Sequence, residues 1–426
     1  NMAQGLGLAF ITKLAGSDLL DQFKLRGLIE KSLYQGSKAG FKTLTATQKF
    51  FKSNQNNAKQ RLPHQEKSLF DLSLTEEQQM TADAMNQFGL EVLYPLAHDA
   101  DHHEKFPAEL WKHSSDLGLI YYALPESFGG VASEKNIISN ILIAENLAQG
   151  DFSLTAGLLS TFSVINAITQ WGSESIQNKY LSSISEDSGI QATFAIQEAT
   201  PAFNPFQLKT KVTNSNGQFT LQGEKTLVVL GETADLILVN AEYNGKPDLF
   251  IVKRDSTIRF KKSPSMGLKA TETVNLIFDN TPAERLGDDD FNYTEFLDLG
   301  NLMWCAMAVG TCEAVKKYCI QYANERTAFG EPISHRQSVA FMIADMAIEI
   351  EAMRMLVLNA ATLVEAGKSF HREAYLARIL CAEKSMKIGT DGVQLLGGHG
   401  FTQEHPVERW YRDIRATAIL HSGLHA

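Results

Sequence analysis

Cysteine is scarce in this sequence, with four residues in 426 and no Cys-x-x-Cys pair. That scarcity excludes a small scaffold held together by disulfides, and the seven-residue intervals between Cys305, Cys312 and Cys319 are too wide for a zinc clip. Residues seven apart share one face of a helix. We therefore interpret the three as small apolar residues on a buried helix surface, with metal or redox ligands as the alternative. This cysteine usage is typical of the reducing cytoplasm, where we expect the protein to be.

Long apolar runs and extremes of composition are also missing. We find no uncharged apolar run that approaches the ~20 residues of a membrane-spanning helix, so we predict no transmembrane segment. Hydrophobic residues make up 44% and charged residues 21% of the chain, which excludes a disordered chain and a collagen-like fibre. A chain of this length is expected to form about two to four domains or one large composite fold.

Negative charge dominates overall, but it is unevenly distributed. The formal net charge is −10; residues 1–67 hold 11 basic and 4 acidic side chains, and the remainder holds 28 basic and 45 acidic ones. An acidic main body argues against a nucleic acid as the main partner. In residues 1–67 the basic side chains recur among apolar ones, which predicts short basic amphipathic helices in an extension of residues 1–70. Two roles stay open for it: docking to a membrane surface, which would make the protein peripheral, or docking to a partner or to the chain's own body.

The period of the hydrophobic residues changes twice along the rest of the chain. A helical period gives way to apolar residues at alternate positions, as at Phe219 and Leu221, with polar clusters at 214–217 and 244–248 that predict turns. A helical period then returns in long stretches with few breakers, which predicts a bundle. We therefore predict an all-α domain, a β domain and a helical bundle at residues 71–188, 189–288 and 289–426. The three longest predicted helices are residues 297–326, 337–366 and 371–396.

Six short motifs follow one another within this framework. They are LPESFGG at 124–130, MGLKATET at 266–273, RTAFG at 326–330, Gln337, QLLGGHGF at 394–401 and EHPVERWYRD at 404–413. In this order, over about residues 72–421, they resemble the acyl-CoA dehydrogenase family. The resemblance implies a multidomain α+β fold with an N-terminal helical domain, a middle antiparallel β domain and a C-terminal four-helix bundle. The basic helical N-terminal extension is additional to that fold.

The chemistry of that family is the α,β-desaturation of an acyl-CoA thioester. A carboxylate removes the α-proton while the β-hydrogen leaves as hydride to N5 of FAD. The resemblance therefore implies an FAD-dependent oxidoreductase of fatty acid metabolism, with an acyl-CoA substrate, an electron-transfer flavoprotein as partner and a homo-oligomeric state, either dimer or tetramer. Two alternatives stay open. One is a non-catalytic FAD-binding subunit that pairs with an active paralogue in a hetero-oligomer, and the other is a flavin-free acyl-CoA-binding protein.

Two of the motifs contain residues that suit a dinucleotide. Arg326 offers a fixed charge to phosphate oxygens, and the glycines at 397–400 let the backbone approach a bulky ligand. Gln394 can bond to the adenosine end. In the family these two stretches come from different subunits and hold the same FAD, which is what implies an oligomer. The cofactor-binding residues that we predict are Arg326, Phe329, Gln337, Gln394, Gly397, Gly398, Gln197 and Val229.

The region that would hold the flavin ring departs from the family pattern. The family's glycine-serine loop corresponds to residues 197–205, which lack those glycines, and the threonine that bonds flavin N5 is replaced by Val229. The catalytic glutamate corresponds to His421, and an alternative glutamate on the first helix of the bundle corresponds to Gly300. An imidazole with an ordinary pKa of about 6.5 can accept a proton near neutral pH, so His421 is our candidate catalytic base.

Two further residues are candidates for contact with the substrate. Lys269 stands where relatives often carry an arginine, and we expect it to meet either the ligand or a neighbouring strand. Asn301 is the second candidate. Asp298 and Glu295 are close in sequence to the alternative glutamate position, but a shift along a helix points their side chains to a different face. We predict no metal site.

Overall fold

The computed structural model describes residues 74–132, 136–186 and 189–421. The chain divides into two units, Asn1–Met80 and Thr81–Ala426, and every contact discussed below lies within the second. The extension predicted for residues 1–70, with its helices and its two docking roles, lies outside the described residues.

The first part of the described chain is helical, as its sequence period predicts. Asp151 begins the longest of these helices, because its carboxylate accepts a hydrogen bond of 2.9 Å from the backbone N–H of Leu154. A π-helical turn lies between the first two helices. The helices are α1 (Glu76–Phe88), α2 (Tyr94–His103), α3 (Glu109–Leu117), α4 (Ile137–Ala148), α5 (Phe152–Trp171) and α6 (Glu174–Glu186), and the π turn is Gly89–Leu93.

Helix α5 corrects the expectation that no stretch reaches the length of a membrane span. Its 20 residues contain no charged side chain and are apolar enough, by length and composition, to cross a bilayer. Serine and threonine residues interrupt the apolar ones, which is why the stretch does not stand out as an apolar run. Nearly all of the helix is buried inside the protein, which is the ordinary environment of a core helix.

The middle part forms one seven-stranded sheet. Its strands are β1 (Ala192–Ala195), β2 (Lys211–Ser215), β3 (Gln218–Val228), β4 (Leu236–Tyr243), β5 (Lys246–Lys253), β6 (Ile258–Lys262) and β7 (Val274–Arg285). The pairings run from β4 through β2, β3, β7 and β5 back to β4, so the sheet closes around an apolar core. Most pairs are antiparallel, but β1 and β2 each meet β4 in parallel orientation. The domain is therefore mixed rather than wholly antiparallel, because a long connection after β1 replaces a hairpin and leaves the strand direction free.

Both predicted turn clusters join adjacent antiparallel strands. Between β2 and β3, Asn216 and Gly217 have φ values of 55° and 85°, and between β4 and β5, Asn244 and Gly245 have values of 52° and 79°. Two successive left-handed residues make the tight turn whose twist matches antiparallel strands, and asparagine and glycine adopt that conformation most readily. The two turn predictions are confirmed.

The last part is a helical bundle whose three long helices agree closely with the predicted ones. Asn292 caps the first of them, because its side chain accepts a hydrogen bond of 3.2 Å from the backbone N–H of Glu295. The long helices are α7 (Tyr293–Glu325), α8 (Gln337–Glu365) and α9 (His371–Leu396), followed by the short helices α10 (Val407–Ile414) and α11 (Ala416–Ile419). A small hairpin of β8 (Thr327–Ala328) and β9 (Glu331–Pro332) lies between α7 and α8.

The cysteines of α7 lie on its buried face, as their spacing predicts. Cys305, Cys312 and Cys319 are fully buried, and so is Cys381 on α9. Burial raises the pKa of the Cys312 and Cys319 thiols, so both stay protonated at neutral pH. Protonated thiols inside a bundle are packing groups, in agreement with the apolar interpretation.

Candidate functional site

A pocket lies where the middle sheet meets the helical bundle, and we call it the inner pocket. Strands β1 and β3 supply one wall, α7 supplies Trp304, and the segment after α11 supplies the rest. Its empty volume is about 300 Å³. Three predicted site residues that are far apart in the sequence meet here: Gln197, Val229 and His421. The full lining is Phe194, Ile196, Gln197, Thr226, Leu227, Val229, Trp304, Leu420 and His421.

An irregularity at the end of β3 shapes the inner pocket. The register between β3 and β7 shifts between Lys225 and Val228, and Leu227 has a φ of 53°. Such a bulge breaks the regular alternation of side chains, and a left-handed leucine is strained unless its surroundings hold it. Thr193 on β1 holds the end of the strand, because its hydroxyl donates a hydrogen bond of 2.7 Å to the carbonyl of Val229. The bulge thereby brings both Leu227 and Val229 into the pocket.

Gln197 places an amide in the wall of the inner pocket. Its Oε1 atom is buried and has no hydrogen-bond partner among the described residues. A buried polar atom without a partner costs roughly 1–3 kcal/mol, so a ligand that brings an N–H group to this place would be stabilised. The ring of FAD, which the family resemblance implies, carries such a group, and in this respect the pocket fits it. Val229 fits less well, because its side chain has no hydroxyl for flavin N5.

His421 lines the inner pocket and is half-buried. Its ring lies edge-to-face against Phe203, with 5.9 Å between the ring centroids, and Phe203 belongs to the loop that lacks the family's glycines. Burial, and then the positive charge of Arg378, lower the pKa of the imidazole to about 4. The ring is therefore neutral near pH 7 and able to accept a proton, but the imidazolium that would form is disfavoured. The predicted base is in the pocket, and its proton affinity is low.

In the part of the chain that the structure describes, no carboxylate lines the inner pocket. No carboxylate there could therefore accept the proton in place of His421. Asp298 lies on α7 with Oδ2 2.6 Å from Nδ1 of His371, and Glu295 accepts a hydrogen bond of 3.1 Å from the side chain of Asn292. Burial raises the pKa of Asp298. Gly300 is buried within α7. Both positions that hold a glutamate in the family therefore lack a carboxylate here.

A second pocket adjoins the first, and we call it the outer pocket. It has an empty volume of about 440 Å³, its wall is mostly apolar, and it shares Leu227 and Leu420 with the inner pocket. Gly267 is required in its wall, because a side chain there would clash with the backbone carbonyl of Arg412. The full lining is Leu227, Ser265, Met266, Gly267, Leu268, Thr273, Arg412, Asp413, Arg415, Ala416, Ile419 and Leu420.

The aspartate that ends the EHPVERWYRD motif ties the outer pocket to the helical domain. Asp413 is fully buried, and its carboxylate accepts hydrogen bonds from the backbone N–H of Leu268 at 2.7 Å and from the hydroxyl of Ser153 on α5 at 2.9 Å. Burial, and then the charge of Asp151, raise the pKa of Asp413 to about 7. Asp151 is itself paired with Arg409 at 3.0 Å. This motif therefore has a structural role, which is to fix one wall of the outer pocket.

Replacing Asp413 with asparagine is expected to flatten the dependence of stability on pH. The pKa of Asp413 is about 7 when folded and 3.8 ordinarily, so the folded state holds the proton more tightly. This stabilisation is complete below pH ~4 and is lost as the pH rises through 7, with a slope that approaches about 1.4 kcal/mol per pH unit. Thermal midpoints should fall less steeply between pH 5 and 8 for Asp413→Asn than for the wild type or for the surface variant Asp279→Asn. Equal slopes in all three proteins would contradict this pKa.

Six predicted cofactor residues lie on an exposed surface beyond the end of α7. Arg326 follows the last residue of α7, and the glycine turn adjoins it because Tyr322 Oη is 2.9 Å from Nδ1 of His399. Phe329 is 96% exposed. The arginine motif at 326–330 and the glycine turn at 397–400 lie side by side in one protomer, because the turn after α9 packs on the last turn of α7. The resemblance implies instead that the two motifs at one FAD come from different subunits. The exposed residues are Arg326, Phe329, Gln337, Gln394, Gly397 and Gly398.

This exposed surface is far from the inner pocket. Trp304 lines the inner pocket, and Arg326 comes 22 residues later at the end of the same helix. At ~1.5 Å of rise per residue the two positions are about 33 Å apart, which is more than one extended FAD spans. The predicted cofactor residues thus form two groups, with Gln197 and Val229 at the inner pocket and the other six at the exposed surface.

The two predicted substrate residues line neither pocket. Lys269 forms an ion pair with Glu104 at the end of α2, with 3.4 Å between Nζ and Oε1. Asn301 is buried on α7, and its Oδ1 accepts a hydrogen bond of 2.6 Å from Arg378 on α9. Trp304 and Arg378 were not singled out from the sequence. Trp304 carried no signal beyond its place on an apolar helix, and Arg378 carried none.

Comparison with known proteins gives the family. The model of the acyl-CoA dehydrogenase N-terminal domain matches residues 75–187, and that of the C-terminal domain matches residues 292–423. The short-chain specific acyl-CoA dehydrogenase of Megasphaera elsdenii is 32% identical over 368 residues, which cover 82% of this chain and 95% of the relative. An acyl-CoA dehydrogenase of Bacillus subtilis is 31% identical over 365 residues, with 82% and 95% covered.

Solved structures agree with the predicted fold class, which is thereby confirmed for the described residues. Butyryl-CoA dehydrogenase from Megasphaera elsdenii aligns with a TM-score of 0.75 at 30% identity, covering 82% of this chain and 95% of that one. Glutaryl-CoA dehydrogenase in complex with glutaryl-CoA aligns with a TM-score of 0.76 at 25% identity, covering 82% and 92%. The chain therefore belongs to the acyl-CoA dehydrogenase family, whose members are FAD-dependent oxidoreductases of fatty acid metabolism.

Proposed function

We propose that the protein desaturates an acyl-CoA thioester between its α and β carbons, with FAD as the hydride acceptor and His421 as the proton acceptor. The observation that carries this proposal is the meeting of Gln197, Val229 and His421 in the inner pocket, which adjoins the outer pocket at Leu227 and Leu420. An acyl-CoA has a long apolar part and one weakly acidic carbon beside its thioester. A mostly apolar cavity beside a smaller pocket with a neutral imidazole suits that combination.

The residues that would hold FAD are the two groups described above. Gln197 would pair with the ring through its free amide oxygen, and Arg326 and the glycine turn of a second protomer would hold the phosphates and the adenosine. The distance of about 33 Å between the groups along α7 supports a homo-oligomer in which each protomer completes the other's site. When bound, FAD supplies the acceptor for the β-hydrogen. The family resemblance implies an electron-transfer flavoprotein as the next acceptor.

The residues of this chain would bind the thioester, exclude water and take up the proton. Leu227 and Leu420, which line both pockets, would shield the reacting carbons from solvent. His421 would accept the α-proton on a ring nitrogen that burial has left unprotonated. The resulting cation would lie near Arg378 in a partly buried place, so we expect a slow proton abstraction compared with that by a carboxylate.

The same weakness of His421 favours a second candidate function, a non-catalytic FAD-binding subunit that pairs with an active paralogue. A carboxylate becomes neutral when it takes up a proton, whereas an imidazole becomes charged, and burial penalises the charged product. The pKa of about 4 at His421 reflects that penalty together with the charge of Arg378. In this case the protein would keep FAD and the fold, and the partner would carry out the turnover.

Anaerobic titration of the purified protein with a panel of acyl-CoA thioesters separates the candidates. Under the first proposal the protein is yellow and at least one thioester bleaches it without a partner. His421→Ala then slows bleaching at least ~100-fold, whereas the matched substitution of an exposed histidine on α2, His98→Ala, leaves it unchanged. A yellow protein that no thioester bleaches supports the pairing subunit. A protein that takes up no FAD would overturn both and leave the flavin-free acyl-CoA-binding protein.

A further inference from the structure

Arg378 on α9 is a half-buried cation that the proposed chemistry does not use. Its Nη1 donates a hydrogen bond of 2.6 Å to Oδ1 of Asn301, and its Nη2 donates one of 2.8 Å to the backbone carbonyl of Leu420. Within the described residues, none of its hydrogen bonds or ion pairs involves a carboxylate, and burial lowers its pKa. A half-buried guanidinium that is hydrogen-bonded to neutral oxygens loses part of its hydration without gaining a counter-charge, so its place in the fold calls for a reason.

The carbonyl that Arg378 holds belongs to the residue just before His421. Helix α11 ends at Ile419, and Leu420 turns into an extended conformation with φ −83° and ψ 138°. The N–H of Leu420 donates a hydrogen bond of 2.8 Å back to the carbonyl of Ala416, and its side chain is buried. With its carbonyl also bonded, both backbone polar groups of Leu420 are fixed. The direction in which the chain leaves α11 is therefore set by Arg378.

We propose that Arg378, braced by Asn301, is a positioning residue that sets where His421 points in the inner pocket. The catalytic consequence rests on the proposed function, whereas the brace itself is independent of it. Asn301 lies one turn before Trp304 on α7, so the brace is attached to the helix that also lines the pocket. Arginine suits this role because its planar fork reaches two acceptors at once, while a lysine offers one ammonium group.

Few other titratable groups surround this brace. Along α7 they are Asp298, which is paired with His371 of α9, and Cys305; along α9 the nearby group is Cys381. Among the described residues no carboxylate therefore neutralises Arg378 at its hydrogen bonds, and its charge acts on His421 in addition to burial. The brace holds His421 in place and also helps to keep its ring unprotonated.

Three variants of the full-length protein test this role. Arg378→Met removes both the fork and the charge, and Arg378→Lys keeps the charge but loses the fork. The matched control is Arg372→Met, which removes an exposed arginine from the same helix. Two quantities are measured. One is the titration of His421 by NMR with labelled histidine, assigned through His421→Gln, and the other is the rate of anaerobic bleaching by an acyl-CoA.

The expected results differ between the variants. In Arg378→Met the titration midpoint of His421 rises by about one pH unit, because the nearby cation is gone, and bleaching slows at least about tenfold. In Arg378→Lys the midpoint stays near that of the wild type while bleaching still slows, because a single ammonium does not hold the carbonyl and the amide together. Arg372→Met matches the wild type in both.

If thermal stability falls in the Arg378 variants but the titration and the rate do not change, the residue is only structural and the proposal is overturned. If the wild type is not bleached by any thioester, the proposed function has failed, and the NMR signal of the His421 ring in Arg378→Lys, which keeps the charge but loses the fork, then decides whether the brace exists: a signal that matches the wild type overturns it.

Discussion

Replacing His421 with glutamate is expected to raise the rate of anaerobic flavin bleaching by an acyl-CoA thioester at least about 100-fold. The pocket disfavours a positive charge at this position, as the pKa of about 4 for His421 indicates. A carboxylate that takes up the α-proton becomes neutral, so burial would assist the transfer instead of opposing it. The gain is expected under the proposed desaturation, and under the pairing-subunit alternative it requires that this chain also bind the acyl-CoA.

His421→Gln is the control for this substitution, because glutamine has the size of glutamate but no basic group. It is expected to bind FAD and thioester as His421→Glu does, and to show no gain. The rates are compared with each variant saturated with FAD and with the same thioester. A His421→Glu variant that binds both ligands and bleaches no faster than His421→Gln would show that residue 421 does not lie over the α-carbon. That outcome would remove the basis for assigning the proton transfer to this position.

The helices and turns of this fold were predictable because their signals are local. The stretch predicted at 371–396 is the helix His371–Leu396, and an asparagine-glycine pair lies in each of two hairpin turns. Periodicity and turn chemistry depend on neighbours within a few residues, so one sequence carries them fully. The parallel entry of β1 beside β4 was missed, because it depends on where a long connection leads and not on the strand itself.

The residues that shape the site were harder to predict because their contacts are long-range. Leu227 lines both pockets only because a bulge places it there, and no residue type marks that bulge in the sequence. Arg378 meets Leu420 across the bundle, and Lys269 meets Glu104 of the helical domain. A residue's place in a motif indicates which region it belongs to. It does not indicate which partner its side chain selects.

The separation of the cofactor residues, by contrast, was already implied by the sequence. The helix predicted at 297–326 spans about 45 Å at ~1.5 Å per residue, with the position equivalent to the missing glutamate near one end and Arg326 at the other. A flavin ring at the first end and the phosphates of the same molecule at the second are incompatible in one protomer. If the resemblance assigns these two ends correctly, the length of this helix supports an oligomer.

Loss of the buried cation next to the inner pocket is expected to have the largest effect on stability. Lys225 is completely buried at the base of the β3 bulge, with Nζ 2.8 Å from Oε1 of Glu198. Glu198 also accepts backbone hydrogen bonds from Lys209 at 2.8 Å and Thr210 at 3.0 Å, so it is committed to its ionised form. Burial lowers the pKa of Lys225 to about 8, against the attraction of Glu198, which leaves it charged at neutral pH. The pair fixes the strand connection that follows Gln197.

Lys225→Met is therefore expected to destabilise the protein by ~3–5 kcal/mol, since it leaves the carboxylate of Glu198 buried without a counter-charge. The measurement is the urea midpoint at pH 8 and at pH 5. Burial raises the pKa of Glu198, and Lys225 opposes this more than the two backbone hydrogen bonds do, so the loss of Lys225 raises that pKa. Protonation of Glu198 at lower pH removes the unpaired buried charge. The difference in the free energy of unfolding between Lys225→Met and the wild type is therefore smaller at pH 5 than at pH 8.

Lys211→Met is the matched control, because Lys211 is exposed and lies 3.4 Å from Glu242, and its loss should change stability by less than about 1 kcal/mol. If the two variants unfold at the same urea concentration, the buried pair does not hold the loop that carries Gln197, and the inner pocket must owe its shape to the bulge alone.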